Sequence, residues 1–381
     1  MQPQPESTFE RFCVWLETLL KDRKNPDGSM AKFSRRFRWA LTATTIAYFL
    51  FLVVMLFLLG GWGERHWLLS ILLFVPATLW LLPLVFLTPL HLLFRPALCG
   101  ITGAAILFIG FVYLDLNWSF SSAKKQNGLV VVTSNIGDRE FSTLAKFLEI
   151  EKPDVVALQD GWPAGRLLKT RYPERFLSTM GEYVLSSKFP VTKAGMLSLR
   201  YEGRAIGAWH EINYGGQPIV IYNIHMPTPR PEFLKLRGRG FLAEAIGGGG
   251  IYSAKTRKSY TDFTATKIQL SQGLIEVLEK EKRPFLVVGD FNMPANGYVG
   301  SLFRSQFVDA FDEKGRGYGF TFPSASLNPF TLFGPWLRLD YLFAGKNWKP
   351  TFCRVEPRHS GQHRAVVAQF EIQEPKPHKE P

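Results

Sequence analysis

The stretch PFLVVGDFN, residues 284–292, says more about the fold than any other part of the chain. Its apolar run reads as a strand buried on both faces. Gly289-Asp290-Phe291-Asn292 then places two polar side chains two positions apart at the strand's end. Packing alone gives little reason for that arrangement. A rigid sheet edge, where side chains can be held for chemistry, gives a good one.

The same grammar recurs on either side. After the polar stretch SSAKKQNG (121–128), the pattern predicts strands over Leu129–Ser134, Val155–Gln159, Tyr183–Ser187, Ile206–Glu211, Ile219–Ile224, Phe285–Gly289, Leu339–Phe343 and Ala365–Phe370. Helical spacing occupies Phe141–Glu151 and Thr264–Lys280. Strands outnumber helices and many are apolar on both faces, so an α/β layered sandwich fits better than a βαβ repeat. SNIGDRE (134–140), after the first strand, has neither Rossmann nor P-loop glycine spacing. Residues 226–258 break the regularity with Arg230, Lys235, Arg237, Arg239, Lys255, Arg257 and Lys258 around four consecutive glycines. They are expected to form a long loop, either a functional lid or disordered chain.

Polar residues collect at the predicted strand ends. Asn135 closes the first strand, Asp160 the second and His225 the fifth; Asp340 lies in LRLDYLF, and His363 precedes the last strand. Such a set, without a cysteine cluster, suits a hard oxygen-ligated cation, Mg²⁺ or Mn²⁺, better than zinc. A carboxylate near an imidazole also suits general acid–base work. Each residue has a plainer reading. Asn135 caps a turn, Asp160 before Gly161 is a turn residue, His225 is a satisfied buried histidine, and Asp340 pairs with Arg338 or Arg364.

The 381 residues are 46% hydrophobic, 14% aromatic and 20% charged, which excludes a disordered, collagen-like or disulfide-scaffold chain. Cys13, Cys99 and Cys353 are far apart, so no Cys-x-x-Cys metal site exists and the compartment's redox state is left open. The formal charge of +13 lies mainly after residue 124.

Three uncharged apolar stretches, 40–60, 67–90 and 96–114, are each long enough to cross a hydrocarbon core of about 30 Å. Lys21, Arg23, Lys24, Lys32, Arg35, Arg36 and Arg38 precede the first, against Arg65 alone in the following loop. The positive-inside bias therefore predicts a multi-pass protein of the cell membrane with its N-terminus cytoplasmic and everything after Asp115 extracytoplasmic. Phe9, Phe12, Cys13, Leu16 and Leu20 repeat at helical spacing, as in a helix lying on the membrane or on the bundle. The expected organisation is an N-terminal segment (1–39), a three-span region (40–115), a linker (116–128), a soluble domain (129–372) and a solvated tail (373–381).

The order of motifs in the soluble part resembles the endonuclease/exonuclease/phosphatase superfamily, with its deoxyribonuclease-I-like fold. The pieces that carry the resemblance are VVVTSNIG (130–137), PDVVALQD (153–160), LSSKFPV (185–191), IYNIHMP (221–227), VVGDFNMP (287–294), GFTFP (319–323), LRLDYLF (337–343) and SGQHRAVVAQF (360–370). Preceded by three spans, the domain is similar to the membrane-anchored members. The resemblance implies a four-layer α/β sandwich, two mixed sheets face to face with helices outside. It also implies Mg²⁺-assisted attack of water on a phosphoester. Asn135 and Asp160 would then hold the metal, Asp290 and Asn292 would orient or deprotonate the water, and Asp340 would hold His363 against the phosphate. His225 would stabilise or protonate the leaving oxygen. The sequence departs from the family pattern twice: Asp160 stands where glutamate is usual, and Gln362 replaces an acidic metal ligand before the last histidine, offering the metal a carbonyl oxygen in place of a charge.

The leading expectation is a membrane-anchored, divalent-metal-dependent phosphoesterase acting on a lipid-linked phosphate or phospholipid. Membrane lipids would be its partners. A nuclease acting on DNA or RNA is the second expectation, since a basic domain attracts nucleic acid. A non-catalytic membrane binding protein, disarmed at Gln362, is the third.

Overall fold

A computed structural model of the protein describes residues 32–119, 128–137, 141–324, 334–357 and 361–373. The helix expected over Phe9–Leu20, most of the polar linker and the tail 374–381 lie outside the described residues. The chain divides into two compact units, Met1–Met55 with Thr78–Ile109, and Leu56–Ala77 with Gly110–Pro381.

Three helical stretches are long and apolar enough to cross a membrane: Arg35–Arg65, Ala77–Phe94 and Pro96–Tyr113. Within the first unit, His91 is buried, with Nε2 2.7 Å from Thr45 Oγ1 and Nδ1 2.7 Å from Thr102 Oγ1. The second apolar stretch, expected as one span over 67–90, is broken. Trp67–Phe74 is a separate helix that stops before Pro76, and the next helical run starts at Ala77. Proline lacks the N–H that would continue the helix. Trp67 and Ile71 spend their apolar surface on Leu236, Tyr260 and Phe263 of the second unit.

The second unit holds two six-stranded sheets. The strands of these two sheets, in chain order, are β1 (Leu129–Asn135), β2 (Val155–Gln159), β3 (Phe176–Met180), β4 (Tyr183–Ser187), β5 (Val191–Met196), β6 (Gly207–Tyr214), β7 (Gln217–His225), β8 (Phe285–Asp290), β9 (Val308–Asp309), β10 (Asp340–Ala344), β11 (Trp348–Val355) and β12 (Val366–Ile372). One sheet runs β9-β10-β8-β7-β6-β5 and the other β11-β12-β1-β2-β4-β3. Between them, Leu129, Val131, Val155, Ala157 and Leu185 meet Ile219, Ile221, Leu286, Val288 and Leu342. The alternate residues face outward. Val220, Tyr222, Val287 and Phe343 pack on Leu270, Leu274 and Leu278 of the helix Ala254–Glu279. Val130, Val132, Val156 and Leu158 pack on Leu144, Phe147 and Leu148 of the helix Ser142–Glu151. Both faces of each central strand are thus covered, which is why β1, β2 and β8 read as apolar runs without alternation.

Two parallel pairs set the geometry of the working edge. β1 pairs β2 with Asn135 opposite Gln159, and β7 pairs β8 with His225 opposite Asp290. β10 runs antiparallel to β8 with Asp340 opposite Asp290. His225, Asp290 and Asp340 therefore stand side by side on one sheet edge.

The basic stretch 226–258, expected as a loop, is folded. It forms helices Arg230–Arg237 and Phe241–Gly247, a short 3-10 turn at Gly250–Tyr252, and the start of the helix Ala254–Glu279. Leu236 is buried against Tyr260 and Phe263, which supplies the apolar face that composition alone hides.

Candidate active site

Asp290 is the hub of the site. Its Oδ1 accepts the backbone N–H of Asn292 at 2.8 Å, and its Oδ2 accepts the amides of Asn135 at 2.9 Å and Asn292 at 3.1 Å. Gly289 allows this turn. It has φ of 140°, and a Cβ there would lie 2.0 Å from the Ile224 carbonyl oxygen of the neighbouring strand. Asn292 itself takes a left-handed φ of 48°, a conformation asparagine tolerates better than most residues.

Two imidazoles flank the hub, each backed by a carboxylate. His363 Nδ1 donates to Asp340 Oδ2 at 2.9 Å, leaving Nε2 3.7 Å from Asp290 Oδ2. His225 Nδ1 donates to Glu182 Oε1 at 2.9 Å, leaving Nε2 3.8 Å from the same oxygen. Each carboxylate fixes the ring's tautomer and plane, so both Nε2 atoms are presented to one small space. Burial pushes the Asp340 carboxyl above its usual range, opposed by His363 and reinforced by Asp290. Burial would also raise Glu182, but the hydrogen bond with His225 and the charge of Arg204 hold it below the usual carboxylate range. Thr321 Oγ1 accepts the backbone N–H groups of Leu339 and Asp340 at 3.1 and 3.3 Å, which anchors the start of β10.

The oxygen donors gather on the flank of His225. Asp160, Glu182 and His225 bring ligand atoms within 4.8 Å of one another, and Asp290, Asp340 and His363 form a second such group. Asn135 Oδ1 and Asp160 Oδ2 both face the space beside Gly137, where a Cβ would meet them at 3.3 and 3.1 Å. One oxygen of Asp340, Oδ1, is buried without a hydrogen-bond partner. Hard oxygen donors around a cleft of this kind fit a divalent cation.

The sequence-predicted residues therefore fall as follows. Asn135, His225, Asp290, Asn292, Asp340 and His363 converge, all nearly buried, with Asp160 at the more exposed rim. Gln362 is exposed beside His363, and its backbone carbonyl accepts the Ser324 N–H at 2.7 Å. Asp340 does not pair with Arg338, which is taken by Asp309, Asp115 and Asp312 at 2.9, 2.8 and 2.7 Å.

Two residues escaped the sequence reading. Glu182 sits in the two-residue turn between β3 and β4, where an acid reads as solvated. Lys267 is buried and its ammonium donates to the Asn292 carbonyl. Burial pushes it down to about 8, with Glu64 and Asp290 opposing. A signal existed for Lys267: it falls on the apolar stripe Tyr260, Phe263, Leu270 and Leu274, where a solvated lysine has no place.

The family model described as the endonuclease/exonuclease/phosphatase family matches residues 132–361. No curated protein matches the sequence. Among solved structures, an endonuclease/exonuclease/phosphatase family protein from Bacteroides thetaiotaomicron is similar at TM-score 0.48 and 12% identity, covering 66% of this chain and 100% of that one. A humanized D. rerio TDP2 is similar at TM-score 0.46 and 13% identity, covering 64% and 99%. A mannosyl-6-phosphatase from B. thetaiotaomicron is similar at TM-score 0.45 and 12% identity, covering 64% and 100%. The family match spans more than half of the chain, including every converging residue named above except His363. The chain belongs to the endonuclease/exonuclease/phosphatase family and is a hydrolase of phosphoester bonds.

Proposed function

We propose that the protein is a membrane-anchored, divalent-metal-dependent phosphoesterase whose substrate carries its phosphoester on a lipid. The observation that supports a membrane-held substrate is the tethering of the loop after Asn292. Asn296 Nδ2 donates to the Tyr113 carbonyl at 2.9 Å, at the end of the third apolar stretch. Arg65 Nη2 donates to the Tyr298 hydroxyl at 2.6 Å, and the Val299 N–H to Glu64 Oε2 at 3.3 Å, at the end of the first. Asn296 stands four positions after Asn292, at most about 14 Å of chain. A phosphoester held at a bilayer surface meets such a site without leaving the surface.

Asn135, Asp160 and Glu182 would hold Mg²⁺ or Mn²⁺, whose charge polarises the phosphoryl oxygen and lowers the pKa of a bound water. The other steps belong to the chain's own residues. Asp290, fixed by Asn135 and Asn292, orients the attacking water and accepts its proton. His363, held by Asp340, presents Nε2 to a phosphoryl oxygen. His225, acting as the imidazolium with Nδ1–H held by Glu182, delivers its second proton from Nε2 to the leaving oxygen on the opposite flank and is left neutral. The preorganised amides and imidazoles face charge that develops only in the transition state, where such groups act most strongly. The N-terminus is cytoplasmic and the catalytic unit extracytoplasmic in this reading, following the cations before the first span.

The test is hydrolysis of a generic soluble phosphodiester and phosphomonoester by the purified full-length protein with Mg²⁺, Mn²⁺ or EDTA, beside Asp290→Ala. Turnover that needs metal and vanishes in Asp290→Ala is the expected result. Turnover insensitive to both would sink the assignment of Asp290 and of the metal.

A further inference from the structure

We infer that the helices between Arg230 and Lys258 form a docking surface for anionic phospholipid headgroups at the membrane that holds the chain. The inference rests on the membrane-anchored reading above, but not on the chemistry at Asp290. Its first support is attachment. Phe233 packs edge-on against Phe74 with ring centroids 5.0 Å apart, and the Arg257 guanidinium lies 5.6 Å from the centre of the Trp67 ring. Ser70 and Tyr260 share a hydrogen bond of 2.7 Å. Only Val75 and Pro76 separate Phe74 from the apolar run that begins at Ala77. The basic helices are thus built onto a juxtamembrane helix.

The second support is how charge is sorted. Within Arg230–Lys258 there are seven cations and two acids, Glu232 and Glu244. Both acids are buried, Glu232 against Lys235 and Ser259 and Glu244 against Arg239. Arg230, Arg237 and Lys255 are exposed and have no side-chain partner among the described residues. The outward charge of the segment is therefore positive.

The third support is apolar. Leu234 is 58% exposed, Tyr252 50% and Ile246 93%, all within this cationic segment. Large apolar and interfacial side chains set among unpaired arginines and a lysine match the headgroup–acyl boundary, where cations meet phosphate and apolar groups enter below it. A nucleic acid would find the phosphate contacts but few of the exposed aromatic platforms that hold unstacked bases.

The experiment is hydrogen–deuterium exchange of the full-length protein in nanodiscs of phosphatidylcholine alone and of phosphatidylcholine with phosphatidylglycerol. The expected result is several-fold slower exchange across 230–258 in the anionic discs. High salt should reverse it, and the triple variant Arg230→Gln, Arg237→Gln, Lys255→Gln should abolish it. Ile246→Ser should weaken it without touching a cation. Equal exchange in the two discs, or slowing that persists in the triple variant, would overturn the proposal. Slowing produced by single-stranded DNA over neutral discs but not by phosphatidylglycerol would overturn it in favour of a nucleic-acid surface. None of these readouts depends on hydrolysis, so an inactive protein could still pass and an active one could still fail.

Discussion

Lys267 and Glu64 are each almost fully buried, and both contact the segment that runs from Asn292 to Val299. Lys267 reaches the Asn292 carbonyl from the core helix, while Glu64 accepts the Val299 N–H from the end of the first apolar stretch. The fall of the lysine from 10.5 to about 8 corresponds to about 3 kcal/mol spent keeping the ammonium charged in the core. Glu64 is the leading charge opposing that fall. Removing one member of a buried ion pair costs about 3–5 kcal/mol when the two touch. These two act through space, so about 2–3 kcal/mol is expected for Glu64→Gln or Lys267→Met alone. The double variant removes both charges and should recover at least half of the summed loss. The assay is thermal unfolding of the full-length protein in detergent, where about 1 kcal/mol moves Tm by roughly 2–4 °C for a unit of this size. Each single variant should lower Tm by about 4 °C or more, and the double by less than the sum. Strict additivity would refute the coupling. Loss of Tm from Lys267→Met with none from Glu64→Gln would refute the part assigned to the membrane-proximal acid.

Other consequences follow from the same residues. The unfolded chain keeps the Lys267 proton up to about 10.5 and the native one releases it near 8, so this group makes stability rise with pH between those values. Thermal scans should show that rise in the wild type and not in Lys267→Met. Glu182 is held below its usual range, so its contribution is present above the ordinary glutamate value of 4.5 and is lost as pH falls through the lower native value. Glu182→Gln should blunt that acid limb in unfolding scans. Asp340→Asn should lower kcat at least about 10²-fold with KM little changed, because the His363 tautomer is lost while binding groups remain. Gly289→Ala should prevent accumulation of folded protein, since its Cβ would meet backbone 2.0 Å away; normal expression and Tm would refute the constraint.

Most of the fold was legible because its central strands are covered on both faces and therefore written as unbroken apolar runs. The edge strands β3, β5 and β11 carry half-exposed residues and no such run, and they were missed. Trp67–Phe74 misled for the opposite reason. Its apolar residues look like a span, and only the aromatic cluster at Tyr260 and Phe263 shows that a protein surface covers them. Asp290 and Asn292 were legible from local contrast, polar groups at the end of a buried strand. Asn135, His225, Asp340 and His363 needed the order of motifs, since each alone has a bland reading. Glu182 is paired with a residue 43 positions away and has no local mark at all.

Surface-dilution kinetics distinguishes hydrolysis of a phosphoester held in a membrane from hydrolysis of a soluble one. Full-length protein and a lipid phosphoester share discs in which the substrate's mole fraction is varied at constant bulk concentration, with Mg²⁺ present. The rate should follow the surface mole fraction, exceed that on a soluble ester with the same headgroup, and disappear in Asp290→Ala. A rate that follows bulk concentration alone, with the soluble ester cleaved as fast or faster, would contradict a membrane-held substrate.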